Sequence, residues 1–185
     1  MKKIRQILLA VCAMMALVAV AQQPDPVVAS INDALSQAKV EMNKNKGMGN
    51  EAVTTLNYTV RGNGKTTETV HFYYKTVEGT YILTEDRDPH FFYYPLFFVT
   101  RNYNIGKKKY YEEYLFDSSS QRLLFALTQD YDADGKRFDR RFYFKDGATY
   151  FVDGPAMEPY MEDLVMYQGN DLRIAFDNLM RNPKE

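Results

Sequence analysis

The sequence predicts an α+β domain: a curved antiparallel β-meander of about 7–8 strands with an N-terminal and a C-terminal helix packed on one face. Three observations predict it. From Val53 to Asp153 the chain alternates with period two and is rich in Tyr, Phe, Thr and Val. Turn residues punctuate that stretch at short, regular intervals. At both ends the apolar residues switch to helical spacing. The composition is otherwise that of an ordinary globular chain: 185 residues, 45% hydrophobic and 25% charged, with Gly 10 and Pro 7. It excludes collagen, a low-complexity tract and a disulfide scaffold. The unusual figures are Tyr 15 and Phe 12 against Trp 0.

Residues 1–21 read as an export signal, leaving 22–185 as a single α+β domain. Lys2, Lys3 and Arg5 make a positive start, and Ile7 to Val18 is apolar. That run is shorter than the roughly 20 residues a bilayer span needs. Ala19-Val20-Ala21 is a small-x-small cleavage site, followed by the polar Gln22-Gln23-Pro24. The expected location is therefore outside the cytoplasm, in the periplasm or at the cell surface, with no transmembrane span after cleavage. Cys12 lies within the signal and lacks the position of a lipid-acceptor cysteine. The exported part then has no cysteine, hence no disulfide, thiol nucleophile or thiolate metal site. The chain has a formal charge of −1, and the signal removes three cations, so no basic footprint for nucleic acid remains.

Each element has its own local cause. Over 26–46, Val28, Ile31, Leu35, Ala38 and Met42 form one helical stripe, with Asn32, Gln37, Lys39 and Lys44 opposite. Asp25-Pro26 offers an N-cap and a first-turn proline, and Gly47 to Asn50 stops the helix. Strands follow near 53–61, 66–76, 79–86, 92–103, 107–117, 121–131, 136–145 and 148–153. The turns contain Gly62-Asn63-Gly64, Glu78-Gly79, Asp86 to Pro89, Asn104-Ile105-Gly106, Asp117 to Ser120, Asp132 to Gly135, and Asp146-Gly147. Loops this short make consecutive strands antiparallel neighbours. In 136–145, Phe138, Phe142 and Phe144 share a face with Arg140, which then needs a carboxylate or a route to solvent. Near the end, Asn170 or Asp171 can cap a helix striped by Leu172, Ala175, Phe176, Leu179 and Met180. A shorter helical segment over Tyr160 to Val165 precedes it, with an interruption at Gly169.

Two segments could carry function. Asp130, Asp132 and Asp134, followed by Gly135, imitate the first half of an EF-hand loop and could hold a calcium ion, Ca2+. The imitation stops at Arg141, where a bidentate Glu would be needed, and Asp-Gly is equally a hairpin signal. The second is His90-Phe91-Phe92-Tyr93-Tyr94-Pro95-Leu96-Phe97-Phe98, aromatic and free of acidic or basic charge apart from its histidine. Pro95 cannot donate to a ladder and marks an edge or bend. Tyr93, Tyr94 and Phe97 are the expected contact residues of an aromatic surface, with core packing as the competing reading.

Other chemistry lacks its parts. His71 and His90 are the only imidazoles, and their spacing does not imply a metal pair. Ser118-Ser119-Ser120 has no frame for a catalytic serine. Glu112 and Glu113 are adjacent in a strand and point to opposite faces, so they cannot pair across a cleft. Glu85, Asp86 and Asp88 are turn acids, and Lys107-Lys108-Lys109 protects a strand start.

The signal ending Ala-Val-Ala-Gln-Gln resembles those of exported proteins of Bacteroides-type bacteria. The patterns Tyr114-Leu-Phe116-Asp117, Leu123-Leu-Phe125 and Arg141-Phe-Tyr-Phe144-Lys-Asp146-Gly147 resemble hairpins of the small uncharacterised exported β-rich proteins of that group. This resemblance covers a few hairpins and implies a fold, with no catalytic residue. The layout is also similar to that of periplasmic lipoprotein carriers, at the level of fold alone.

The expected function is a non-enzymatic exported binding or scaffold module using an aromatic-rich sheet, with an apolar chain, a glycan or an envelope protein as partner. The alternatives are a hydrolase of envelope or dietary polymers, and a calcium-stabilised adhesion-type module.

Overall fold

A computed structural model describes residues 25–45, 50–62, 64–80 and 90–181. Residues 1–21, expected to be a signal, and Glu85, Asp86 and Asp88 lie outside the described residues. The elements are α1 (Pro26–Asn45), β1 (Glu51–Val60), β2 (Gly64–Tyr74), β3 (Val77–Thr80), β4 (His90–Tyr93), β5 (Leu96–Ile105), β6 (Lys108–Phe116), β7 (Leu123–Tyr131), β8 (Arg137–Lys145), β9 (Ala148–Asp153) and α2 (Pro159–Met180). The class is α+β, as the alternation predicts. Seven strands form one antiparallel sheet in the order β1-β2-β5-β6-β7-β8-β9, and β3 and β4 form a separate ribbon.

Local chemistry sets the boundaries. The Asp25 side chain accepts the N–H of Val27 at 2.8 Å and caps α1. The two-residue turn between β8 and β9 has Asp146 at φ +54 and Gly147 at φ +81, the left-handed pair that matches strand twist. The strand expected over 92–103 divides at Tyr94-Pro95, because proline offers no N–H to a neighbour. Pro95 O instead accepts the N–H of Lys75 at 3.0 Å, closing the neck from which the β3–β4 ribbon leaves the sheet. Of the strand expected over 79–86, the described part ends at Thr80.

The pairing register sorts the core into two layers. Phe72, Val99, Tyr114, Ala126, Phe142 and Val152 align across the sheet on one face, and Tyr73, Phe98, Leu115, Phe125, Tyr143 and Phe151 align on the other. On the first face α2 buries Val165 and Phe176, with the Phe176 ring 5.6 Å from that of Phe72. On the second, Ile31 and Ala38 of α1 are buried, and the Tyr143 hydroxyl donates to Asn32 Oδ1 at 3.1 Å. The two helices thus lie on opposite faces of the sheet, where the sequence reading placed both on one. The physical reason is that the central strands are apolar on both sides, so each face requires a cover.

α2 also differs from its expected two pieces. It runs unbroken through Gly169, beginning after Glu158 with Pro159 in its first turn, so Asn170 and Asp171 are interior. Gly169 serves close approach: a Cβ there would lie 2.8 Å from Leu123 Cδ2 and 3.1 Å from Tyr114 Cδ1. The glycine lets the helix sit down on the middle of the sheet. Arg140 is buried, and its Nε donates to Pro155 O at 3.0 Å while its guanidinium lies 5.0 Å from the Phe138 ring centre. A carbonyl and an aromatic face fill the role expected of a carboxylate.

Candidate functional site

The floor of the site is built by residues that already belong to the core. Phe176 of α2 is fully buried, with its ring 5.4 Å from Tyr74 and 5.6 Å from Phe72. Tyr74 in turn meets Tyr94 edge to face at 5.7 Å. Above this floor opens a groove of about 510 Å³ lined by Phe92, Tyr93, Tyr94, Phe176, Asp177, Met180 and Arg181. The β3–β4 ribbon brings its far wall: Val77 pairs with Tyr93 and Glu78 with Phe92. Phe92 is 55% exposed and Tyr93 49%. Two half-exposed aromatic rings beside a concavity of mixed apolar and polar lining are what a bound apolar surface would cover. Asp177 at the rim is held by Arg173 at 2.8 Å.

The neck of the ribbon is fixed by one side chain. Gln121 sits at φ +57 and donates its Nε2 to Leu96 O at 3.1 Å while its Oε1 accepts Leu96 N–H at 3.2 Å. Its amide thus pairs with Leu96 as a strand would, at the point where Pro95 has just broken the ladder. A second, more polar cleft of about 440 Å³ lies beside it, between α2 and the turns preceding β7 and β9, with Arg122, Asp146, Asn170 and Arg173 in its lining.

Of the predicted contact residues, Tyr93 is exposed and Tyr94 half-buried, both in the groove, whereas Phe97 is buried. Phe97 lies beyond Pro95 in β5, with Lys75 Nζ 6.0 Å from its ring centre. The bend that leaves Tyr93 in the groove is the same one that returns Phe97 to the sheet. Phe92 takes its place at the groove. Phe176 and Met180 went unforeseen as site residues because their helical spacing reads as core.

Asp130, Asp132 and Asp134 each have a local role or lie in solvent. Asp132 Oδ1 accepts the N–H of Lys136 at 2.7 Å inside the β7–β8 turn, Asp130 Oδ1 accepts the N–H of Tyr131 at 2.7 Å, and Asp134 is exposed. Among the described residues no group of three acidic, histidine or cysteine side chains is arranged to hold a metal ion. His71 Nδ1 is 2.6 Å from Glu51 Oε1. Ser119 and Ser120 donate their N–H groups to Asp117 Oδ1, as turn residues do, and these bonds hold the Asp117 carboxyl below its ordinary value.

A charge network absent from the sequence reading lies under the sheet face beyond α2. Arg101 Nε donates to Glu68 Oε1 at 2.7 Å and its Nη1 to Glu112 Oε2 at 3.2 Å. Tyr103 and Tyr114 donate to Glu112 at 3.0 and 2.8 Å, and Tyr58 to Glu68 at 3.1 Å. Both carboxylates are buried. Burial lowers the Arg101 pKa, but the bond to Glu68 and the charge of Glu112 outweigh it and hold the cation above its ordinary value. Burial, then the Glu112 charge, drives the Tyr114 hydroxyl well above 10. The signal for this network was present as an inward charge on three strands: Glu68 with Val70, Arg101 with Val99, Glu112 with Tyr114. These paired rings and charges tie β1, β2, β5 and β6 together and specify their register.

No protein-family model, curated protein or solved structure gives a significant match to the chain.

Proposed function

We propose that the chain is an exported, non-enzymatic binding module whose ligand is an apolar chain lying in the groove between β4 and the C-terminal turns of α2. The observation that carries this reading is the exposure of Phe92 and Tyr93 at the mouth of a groove of about 510 Å³ floored by Phe176. The apolar members of the lining, Phe92, Phe176 and Met180, favour an apolar chain over a sugar, and the acidic group there, Asp177, is already engaged by Arg173. Arg181 at the end of the groove suits a polar or anionic end of that chain. Export rests on the composition of residues 1–21, and periplasm or cell surface follows from it. A hydrolase is the less supported reading, because Glu68 and Glu112 are occupied by Arg101 and three tyrosines.

The test is native mass spectrometry of protein purified from producing cells without denaturant. The expected spectrum contains a retained lipid-sized mass that is lost in Phe92→Ser, a variant expected to keep its stability within about 0.5 kcal/mol because the ring is exposed. A bare protein mass, together with no binding of a fluorescent fatty acid, would overturn the proposal. Retention of a carbohydrate mass would replace the apolar ligand with a glycan.

A further inference from the structure

We propose that β1 is a self-association edge, pairing antiparallel with β1 of a second copy about a two-fold axis at Leu56 to make one continuous sheet. β1 is an end strand of the seven-stranded sheet, and its register with β2 runs unbroken from Glu51↔Tyr73 to Val60↔Gly64. Its ten residues, EAVTTLNYTV, span about 34 Å and contain no proline, lysine or bulge. Those are the devices that usually blunt an edge. β9, at the other end, has six residues, a register irregularity against β8, and Asp153 tied to Arg141.

The direction of the free backbone groups follows from one bond. Tyr74 N–H donates to Asn50 O at 3.2 Å, so Asn50 and the even-numbered residues of β1 bond toward β2. The N–H and C=O groups of Val53, Thr55, Asn57 and Thr59 therefore point outward, away from the sheet. A two-fold through Leu56 sets Val53 against the partner's Thr59 and Thr55 against the partner's Asn57, each as a hydrogen-bonded pair. The same register brings Glu51, the first residue of β1, towards the partner's Arg61 in the turn after β1, opposite charges at both ends of the ribbon. It also covers apolar side chains that are open in one copy: Leu56, 50% exposed, and Tyr58, 40%, on one face, and Val53, 52%, on the other. Leu56 meets the partner's Leu56 on the axis, and Tyr58 covers the partner's Thr54. This self-complementarity of charge and shape in one register is why the occupant is a second copy.

The chain as purified should sediment at the mass of two copies at micromolar concentration. Thr55→Pro removes an outward N–H that β2 does not use, and should give the mass of one copy with an unchanged circular dichroism spectrum. Leu56→Lys, at an open side chain, sets two cations on the axis and should weaken association by roughly tenfold or more. In a Cys12→Ser background, Leu56→Cys should cross-link two copies on mild oxidation, because residues facing each other in a non-hydrogen-bonded pair have Cα atoms about 4.5 Å apart. Thr54→Cys should not cross-link. A single-copy mass in the unmodified chain, a dimer indifferent to both Thr55→Pro and Leu56→Lys, or open-ended growth from β1 joining β9 would each overturn the proposal.

Discussion

Glu112 and Glu113 are neighbours in β6 that serve opposite sides of the sheet. Glu112 takes the hydroxyls of Tyr103 and Tyr114 and the Arg101 guanidinium, whereas Glu113 takes the hydroxyl of Tyr111 and lies 2.8 Å from Lys39 of α1. The Lys39 contact lacks hydrogen-bond alignment at Glu113 Oε2, and the Lys39 side chain is half-exposed. The two carboxylates are thus similarly buried but differently compensated.

Their difference is measurable. Arg101→Met leaves Glu68 and Glu112 buried with no cation, and should cost about 3–5 kcal/mol in urea unfolding. Lys39→Met removes a half-exposed partner and should cost about 0–1 kcal/mol. Equal losses would mean that Arg101 is not the centre of the network.

Gly169→Ala sets helix propensity against packing. In an isolated helix the change gains about 1 kcal/mol. Here the added methyl meets Leu123 and Tyr114, both buried, at 2.8 and 3.1 Å. Overpacking of that kind costs about 1–3 kcal/mol, so the expected result is net destabilisation. Leu123→Ala on its own should be destabilising, and combined with Gly169→Ala the loss should be smaller than the sum of the two. A thermal midpoint raised by Gly169→Ala would show that α2 can lift off the sheet.

The same glycine marks where sequence reasoning stops. The strands were legible because each alternates by itself, and the turns because Asp146-Gly147 or Pro95 impose their geometry locally. The side on which each helix lies is a non-local fact. It was nevertheless encoded in adjacent apolar pairs, Phe72-Tyr73, Phe98-Val99, Tyr114-Leu115 and Phe142-Tyr143, which need cover above and below. A glycine in a helical pattern reads as a break until the residue opposite is known. The groove was half-legible: Tyr93 and Tyr94 stood out as contact aromatics while Phe97 was expected in place of Phe92, and Phe176 and Met180 come from a distant helix and share its stripe with core positions.

The β7–β8 turn separates a hairpin from a calcium loop. If Asp132 acts by accepting the Lys136 N–H, Asp132→Ala should cost about 1 kcal/mol, equally with calcium and with a chelator. The unmodified chain should melt at one temperature in both buffers. A midpoint that rises with calcium and loses that rise in Asp134→Ala would identify a metal site.

Alkaline pH should unfold the protein through its tyrosines. Burial raises Tyr73 to about 12, with the Glu51 charge adding to it. Burial likewise lifts Tyr103 and Tyr111, reinforced by Glu112 and Glu113, and Tyr114 well above the ordinary value of 10. In the unfolded chain these hydroxyls ionise near 10, so above that pH the unfolded state binds fewer protons than the folded one. Their contribution to stability is complete below pH 10 and is lost progressively as pH rises from 10 through 12. The denaturant midpoint should therefore fall across that window, and the tyrosinate absorbance of the buried rings should appear together with loss of the folded signal. Tyr114→Phe removes the most buried hydroxyl, leaves Glu112 one donor short, and should shift the alkaline transition to higher pH while lowering stability at neutral pH by about 1–2 kcal/mol. A midpoint flat between pH 9 and 12 would contradict the burial of these hydroxyls against Glu112 and Glu113.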